Sequence, residues 1–336
     1  MGLAFTVMTG THGPEGVFSG LGSAQSNQRV DKALDDLDMP DAAMGPIAAK
    51  LRDVAMRDPD CLEAFATLGY IYAKRGRSKA ALPWYEQGVR HAVSVVPDGF
   101  EGRIEWNSWT NRPFLRCHHG LALTSMELGD WERSVSLLEQ QLKWNPADNQ
   151  GVRWLLGDAL VQVSRYTDAQ KQLLSVKEEY PPARYSLAWI YFNQDSYAQA
   201  LTELRLGFLE NVYIAELIAG AIYPTKHRYW HGSNLHEPEL AREHHERFIA
   251  HKWGAAEREF VSWALQCSAA LAERGAYRRL QEILAHEREV ARRQSALDEL
   301  DKLRAEIRND TSTPWIRRVR NRKGQEHWVW EDEAYA

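Results

Sequence analysis

Cysteine is almost missing from this chain of 336 residues: Cys61, Cys117 and Cys267 are widely separated and odd in number. Such a set builds no disulfide framework and suits a reducing compartment, so a cytoplasmic protein is expected. Long apolar runs are missing as well, and none approaches the roughly 20 residues of a membrane span. The start, LAFTVMT, has neither the basic flank nor the hydrophobic stretch of a secretory leader. Charge of one sign does not dominate, since 46 acidic and 41 basic side chains leave a net −5, with no global pull towards nucleic acid or an anionic membrane. Catalytic motifs are absent too: there is no glycine-rich phosphate loop and no nucleophile elbow. Cys117, His118 and His119 are adjacent, but consecutive helical residues point apart. No enzyme activity and no cofactor are expected.

What the chain does contain is a returning phrase. Phe65, Leu68, Gly69 and Tyr72 sit at helical spacing, Gly76 breaks the run, and Ala81, Tyr85 and Gly88 follow in a second helix. The phrase returns as Leu121, Ala122, Gly129, Trp131, Ser134 and Leu138, then as Leu156, Gly157, Leu160, Tyr166, Ala169 and Leu173. It comes once more as Leu187, Ala188, Tyr191, Tyr197, Ala200, Leu204 and Gly207. Small residues recur where the two helices of a hairpin touch, and larger ones fill the gaps between hairpins.

This pattern resembles the tetratricopeptide repeat, whose period is about 34 residues. The small second-helix residues Ala81, Ser134, Ala169 and Ala200 are 53, 35 and 31 apart, so an insertion is expected near 94–112. More narrowly, Asn111-Arg112-Pro113-Phe114, the run from Asn145 to Arg153, and Asn211-Val212-Tyr213 resemble the repeat region of the suppression-of-tumorigenicity proteins and their bacterial relatives. The fold expected is an all-α solenoid of tetratricopeptide-like hairpins at about 61–91, 113–144, 149–179 and 183–209. Residues 1–40, rich in Gly, Ser, Thr and Asp, read as a flexible arm. Residues 41–212 form the solenoid, opened by a helix from near Asp41 to Arg57. Residues 213–309 form a helical extension with helices at 238–252, 255–274 and 277–309, and residues 310–336 a basic, aromatic tail. In the 277–309 helix, Ile283, Val290, Leu297, Leu300 and Ile307 stand near heptad spacing, which offers a folded-back cap or an oligomer contact. TPWIRRVRNRKGQEHWVWEDEAYA alternates about a turn at 321–324, as a β-hairpin does.

The resemblance implies that the first helix of each hairpin lines a concave face open to a protein or peptide partner. That face should carry Glu63, Tyr70 and Lys74, then Trp154, Asp158 and Gln162, then Tyr185, Trp189 and Asn193. Thirteen tryptophans fit such a protein, most plugging seams between helices and a few, such as Trp154 and Trp189, lining the groove. The chain is therefore read as an interaction scaffold or adaptor. Arg116, Arg153 and Arg184 each precede a small residue by four positions, so stacked repeats could align three guanidiniums as an anion receptor; alternatively, each pairs with a neighbouring carboxylate. Six histidines, His227, His231, His236, His244, His245 and His251, lie close together, but only His227 and His231 have metal-ligand spacing, and a packing or solvated role is read for them. Arg317, Arg318, Arg320, Arg322 and Lys323 stand among Trp315, Trp328 and Trp330, a nucleic-acid-like combination that gives the second reading, a regulatory subunit touching nucleic acid. Glu326, Glu331, Asp332 and Glu333 follow at once and could neutralise it.

Overall fold

The computed structural model describes residues 2–40, 42–227, 231–310 and 315–331. Asp41, Asp332 and Glu333, named above, lie outside them. The chain divides into two compact units, Met1–Ala159 and Leu160–Ala336.

In the first unit a hairpin of β1 (Ala4–Gly10) and β2 (Gly13–Ser19) precedes α1 (Ala24–Leu37), where a flexible arm was expected. Ser23 begins α1 by accepting the Ser26 amide, and Val30 and Ala33 turn inward. The hairpin is held by the other stretch without helical pattern, the insertion. Asn111, fully buried, accepts the Phe18 amide at 3.0 Å and donates to the carbonyls of Gly16 and Glu105, each at 3.0 Å. Arg103 donates its amide to Pro14 O at 2.8 Å and accepts the Gly16 amide at 2.7 Å. Phe18, Ile104, Phe114 and Leu115 close a small core beneath. Each stretch lacks periodicity because the other supplies its hydrogen bonds.

Helix α2 (Met44–Arg57) buries Ile47, Ala48, Leu51, Val54 and Ala55 on one face, against α3 (Leu62–Lys74). The expected hairpins follow as α3 with α4 (Ser78–Val93), α5 (Arg112–Glu127) with α6 (Trp131–Trp144), α7 (Val152–Gln162) with α8 (Tyr166–Val176), and α9 (Pro182–Asn193) with α10 (Tyr197–Ile218). Each closes through the same three-residue turn, with Gly76, Gly129, Ser164 and Asp195 at its centre at φ 66°, 80°, 62° and 58°. The next amide returns to a carbonyl near the helix end: Arg77 to Tyr72 at 3.0 Å, Asp130 to Ser125 at 2.9 Å, Arg165 to Leu160 at 3.0 Å and Ser196 to Tyr191 at 2.8 Å. These bonds satisfy carbonyls that a helix terminus leaves open.

In the second unit α10 breaks at Asn211, whose φ of −147° and ψ of 85° are not helical. Beyond it come α11 (Pro238–His244), a π turn at His245–Ile249, α12 (Ala250–Lys252), α13 (Ala255–Ala264), α14 (Ser268–His286) and α15 (Val290–Arg308). The single helices expected at 255–274 and 277–309 are therefore redrawn as three, broken at 265–267 and 287–289. Leu280, Leu284, Ala296, Leu300 and Ile307 pack with Leu206 and Leu209, whereas Val290 is 79% exposed and Ile283 and Leu297 are also exposed. The heptad seam is thus split between an inner and an outer face. A second hairpin, β3 (Trp315–Arg320) with β4 (Glu326–Glu331), forms as the alternation implied.

Candidate partner-binding cleft

In the first unit a cleft of about 420 Å³ opens along the first helices of two successive hairpins. Helix α3 contributes Glu63, Ala66, Thr67 and Tyr70, and α5 contributes Arg116, His119, Gly120 and Leu123. One residue in three or four of each helix reaches it, as helical periodicity requires. The far wall is Leu34, Leu37 and Asp38 from α1 and its C-cap, a helix that sequence reasoning left in the arm. Its signal was present in the amphipathic spacing of Val30, Ala33, Leu34 and Leu37. Tyr70 is 46% exposed, and Lys74 lies over its ring at 5.5 Å, so with Glu63 three of the expected groove residues border this cleft. The cleft's charges are internally arranged: Glu63 pairs with Arg116 and accepts from the Thr67 hydroxyl at 3.3 Å. Arg116 also lies over the Trp106 ring at 5.8 Å.

The remaining expected groove residues behave differently. Asp158 is buried. Tyr185 is fully buried and donates its hydroxyl to Asn211 O at 2.6 Å, with its ring against Gly207. Trp189 is only 7% exposed. In the second unit the chain covers its own repeat face. Gln162 donates to Phe248 O at 3.2 Å, Lys252 lies 5.3 Å over the Trp189 ring and 5.6 Å over that of Tyr166, and Asn193 donates to Glu257 at 3.3 Å. Gln162, Trp189 and Asn193 meet residues 248–257, and the return of that segment leaves no mark in the repeats themselves. Trp154 is partly buried over Gly151 in the first unit.

Each arginine of the expected column is engaged by carboxylates of its own unit. Arg116 holds Glu63, Arg153 holds Asp148 at 3.0 Å, and Arg184 is fully buried with Glu210 at 2.8 Å and Glu203 and Glu178 at 2.9 Å. Burial opposes the Arg184 charge, but the three carboxylates outweigh it and raise its pKa above the ordinary arginine value. Asn211 and Tyr213, part of the finer resemblance, fix the loop that follows them. Asn211 donates to the carbonyls of Leu235 and Glu237 at 2.9 and 3.1 Å, and the Tyr213 hydroxyl meets His231 Nε2 and the His227 amide, both at 2.8 Å. Two of the clustered histidines thus pack on one tyrosine. His244 is buried, which drives its pKa down to about 3.

The C-terminal hairpin docks on the second unit. Trp328 is buried with Phe192, Tyr197 and Phe260 at ring distances of 5.6, 5.2 and 5.4 Å, so it is not open for base stacking. Arg318 reaches Glu259 at 2.6 Å and Arg320 reaches Glu326 at 2.9 Å, as internal neutralisation anticipated. Arg317, Arg322 and Lys323 are exposed.

Comparison with known families settles the repeat type. The profile of the tetratricopeptide repeat matches residues 62–90 and again residues 181–205. Both stretches are similar to the tetratricopeptide repeat. Among solved structures it is similar to YrrB, described as a tetratricopeptide repeat protein with an unusual peptide-binding site, at 16% identity over 54% of this chain and 83% of that one, TM-score 0.42. It is also similar to a tetratricopeptide repeat protein of Parabacteroides merdae, at 15% identity over 85% and 100%, TM-score 0.46, and to MamA, at 14% over 53% and 92%, TM-score 0.41. No curated protein gives a match. Among the described residues, no tetratricopeptide or other helix is long and apolar enough to cross a membrane.

Proposed function

We propose that this tetratricopeptide repeat protein is an interaction scaffold that holds a peptide segment of a partner in the cleft of its first unit. The observation that carries this reading is Tyr70, a large ring left half open on a helix face beside Leu34, Leu37 and Leu123, the kind of rigid aromatic anchor that dominates interfaces. Of the expected contacts, Tyr70 and Lys74 stay in this role, with Arg116 and Glu63 as a polar rim. Asp158, Tyr185 and Trp189 leave it because they are buried, and Gln162 and Asn193 because the chain's own segment 248–257 occupies them. The finer resemblance to the suppression-of-tumorigenicity repeat region is kept as a proposal on Asn111, Asn145–Arg153 and Asn211–Tyr213, which names no partner. The nucleic-acid reading is weaker, since Trp328 and Arg318 are engaged within the unit.

The test starts from a partner captured with the full chain from its native cell, purified, and titrated by calorimetry. Tyr70→Ala should weaken that partner at least about 10-fold, some 1.4 kcal/mol or more, with an unchanged melting temperature. Undiminished affinity in Tyr70→Ala and Leu123→Asp alike would place the partner elsewhere and end this reading.

A further inference from the structure

The geometry points to the Tyr85 hydroxyl as a hydrogen-bond donor to the bound partner, so that the cleft selects peptide segments presenting an uncharged acceptor, a main-chain carbonyl or an Asn or Gln side-chain oxygen, next to an apolar side chain. This rests on the cleft being the partner site and adds what the site recognises.

Tyr85 belongs to α4, the second helix of its hairpin, yet it lines a cleft made by first helices. It arrives there because two positions carry no side chain. A Cβ at Gly69 on α3 would stand 2.6 Å from the ring, and one at Gly120 on α5 would come closer still to the ring and within 2.8 Å of the hydroxyl oxygen. The ring therefore passes between α3 and α5 and its tip emerges beside Gly120 on the cleft floor. Tyr85 is 5% exposed, and its hydroxyl, which faces the cleft, has no hydrogen-bond partner among the described residues. The oxygen is not one of the unpaired polar atoms sealed inside the protein, so cleft water reaches it, and phenylalanine would fill the same passage equally well. Packing alone thus gives no reason for the oxygen, and an incoming acceptor does.

The neighbours decide which acceptor. Burial, reinforced by Cys117, Glu127 and Tyr70, raises the phenol pKa far above its ordinary value, so the group is a donor. Asp38 and Glu63 share the cleft, and Arg116 is already engaged by Glu63, so a carboxylate would meet repulsion where a carbonyl would not. Leu34, Leu37 and Leu123 supply the apolar wall beside it.

Peptides selected on the full chain from a random displayed library provide the probe, and the tightest is synthesised and titrated by calorimetry. Tyr85→Phe should weaken it about 3- to 10-fold with a melting temperature equal to or above wild type. Removing the peptide's acceptor, by Asn or Gln to Ala or by an ester at the main chain, should lower affinity for wild type but not further for Tyr85→Phe. If Tyr70→Ala weakens the peptide and Tyr85→Phe does not, the cleft stands and the hydroxyl's role falls. A lowered melting temperature in Tyr85→Phe would make the hydroxyl structural and also overturn it. If no peptide is selected, or neither variant matters, cleft and hydroxyl fall together.

Discussion

At the scale of single residues, the turn between the helices of each hairpin shows how the same backbone is reached with different side chains. Glycine at 76 and 129 accepts a positive φ freely, whereas Ser164 must hold 62° against the crowding of its own Cβ. Ser164→Gly should raise stability by about 0.5–1 kcal/mol, less a small loss from the Tyr166 hydroxyl that Ser164 accepts at 3.1 Å, and a thermal melt will show it as a higher midpoint. His118 sets a pH limit. Burial lowers its pKa from 6.5 to about 4, partly opposed by its 2.9 Å bond with Gln141. The unfolded chain takes up that proton first, so stability is full above pH 6.5 and falls by up to about 3 kcal/mol as pH drops to about 4. Melting curves across that range should flatten in His118→Gln. The sequence shows glycines and histidines but not φ or burial. Gly69 and Gly120 read as close helix contacts, and only the structure reveals that one tyrosine fills both gaps.

Among elements, hairpins were legible and their neighbours were not. A helix pair announces itself through local spacing, so α2 to α9 begin and end within a few residues of expectation, whereas α10 runs on to Ile218. The β1–β2 hairpin depends on Asn111, 93 residues from Phe18, and no local pattern encodes such a bond. The arginines divide in the same way. Arg153 is half exposed beside an Asp148 that also accepts the amides of Val152 and Arg153 at 2.6 and 3.1 Å, so Arg153→Gln should change stability by less than about 1 kcal/mol. Arg184→Gln leaves Glu210 buried without its cation and Glu203 with Lys177 alone, and should cost about 3–5 kcal/mol. Denaturant titration of both variants distinguishes them; equal, small losses would mean that the buried network is not holding α9 to α10.

At the scale of the whole molecule, each unit treats its repeat face differently. The first leaves it open between α1, α3 and α5, while the second lays its own residues 248–257 across it. Trp189→Ala should therefore lower the melting temperature by removing a buried ring of the second unit, a loss of about 3–5 kcal/mol, rather than act as the lost anchor that exposure would have made it. Circular dichroism melts together with partner titration check it: a stable variant with impaired binding would return Trp189 to the groove. The candidate site was half legible for the same reason. Repeat spacing points to a helix's free side, but whether that side stays free depends on where a distant segment comes to rest.

The bond between Phe18 and Asn111 also has a meaning in time. Most contacts in stacked hairpins form between stretches made in quick succession, yet Phe18 leaves the ribosome 93 residues ahead of the side chain that will hold it. At about 5–20 residues per second, the β1–β2 strands wait on the order of 5–20 seconds with the Phe5 and Phe18 rings not yet sheltered. During that interval the nascent segment is a two-stranded hairpin without the core it packs on, which leaves it open to chaperones and to mispairing until Asn111 arrives.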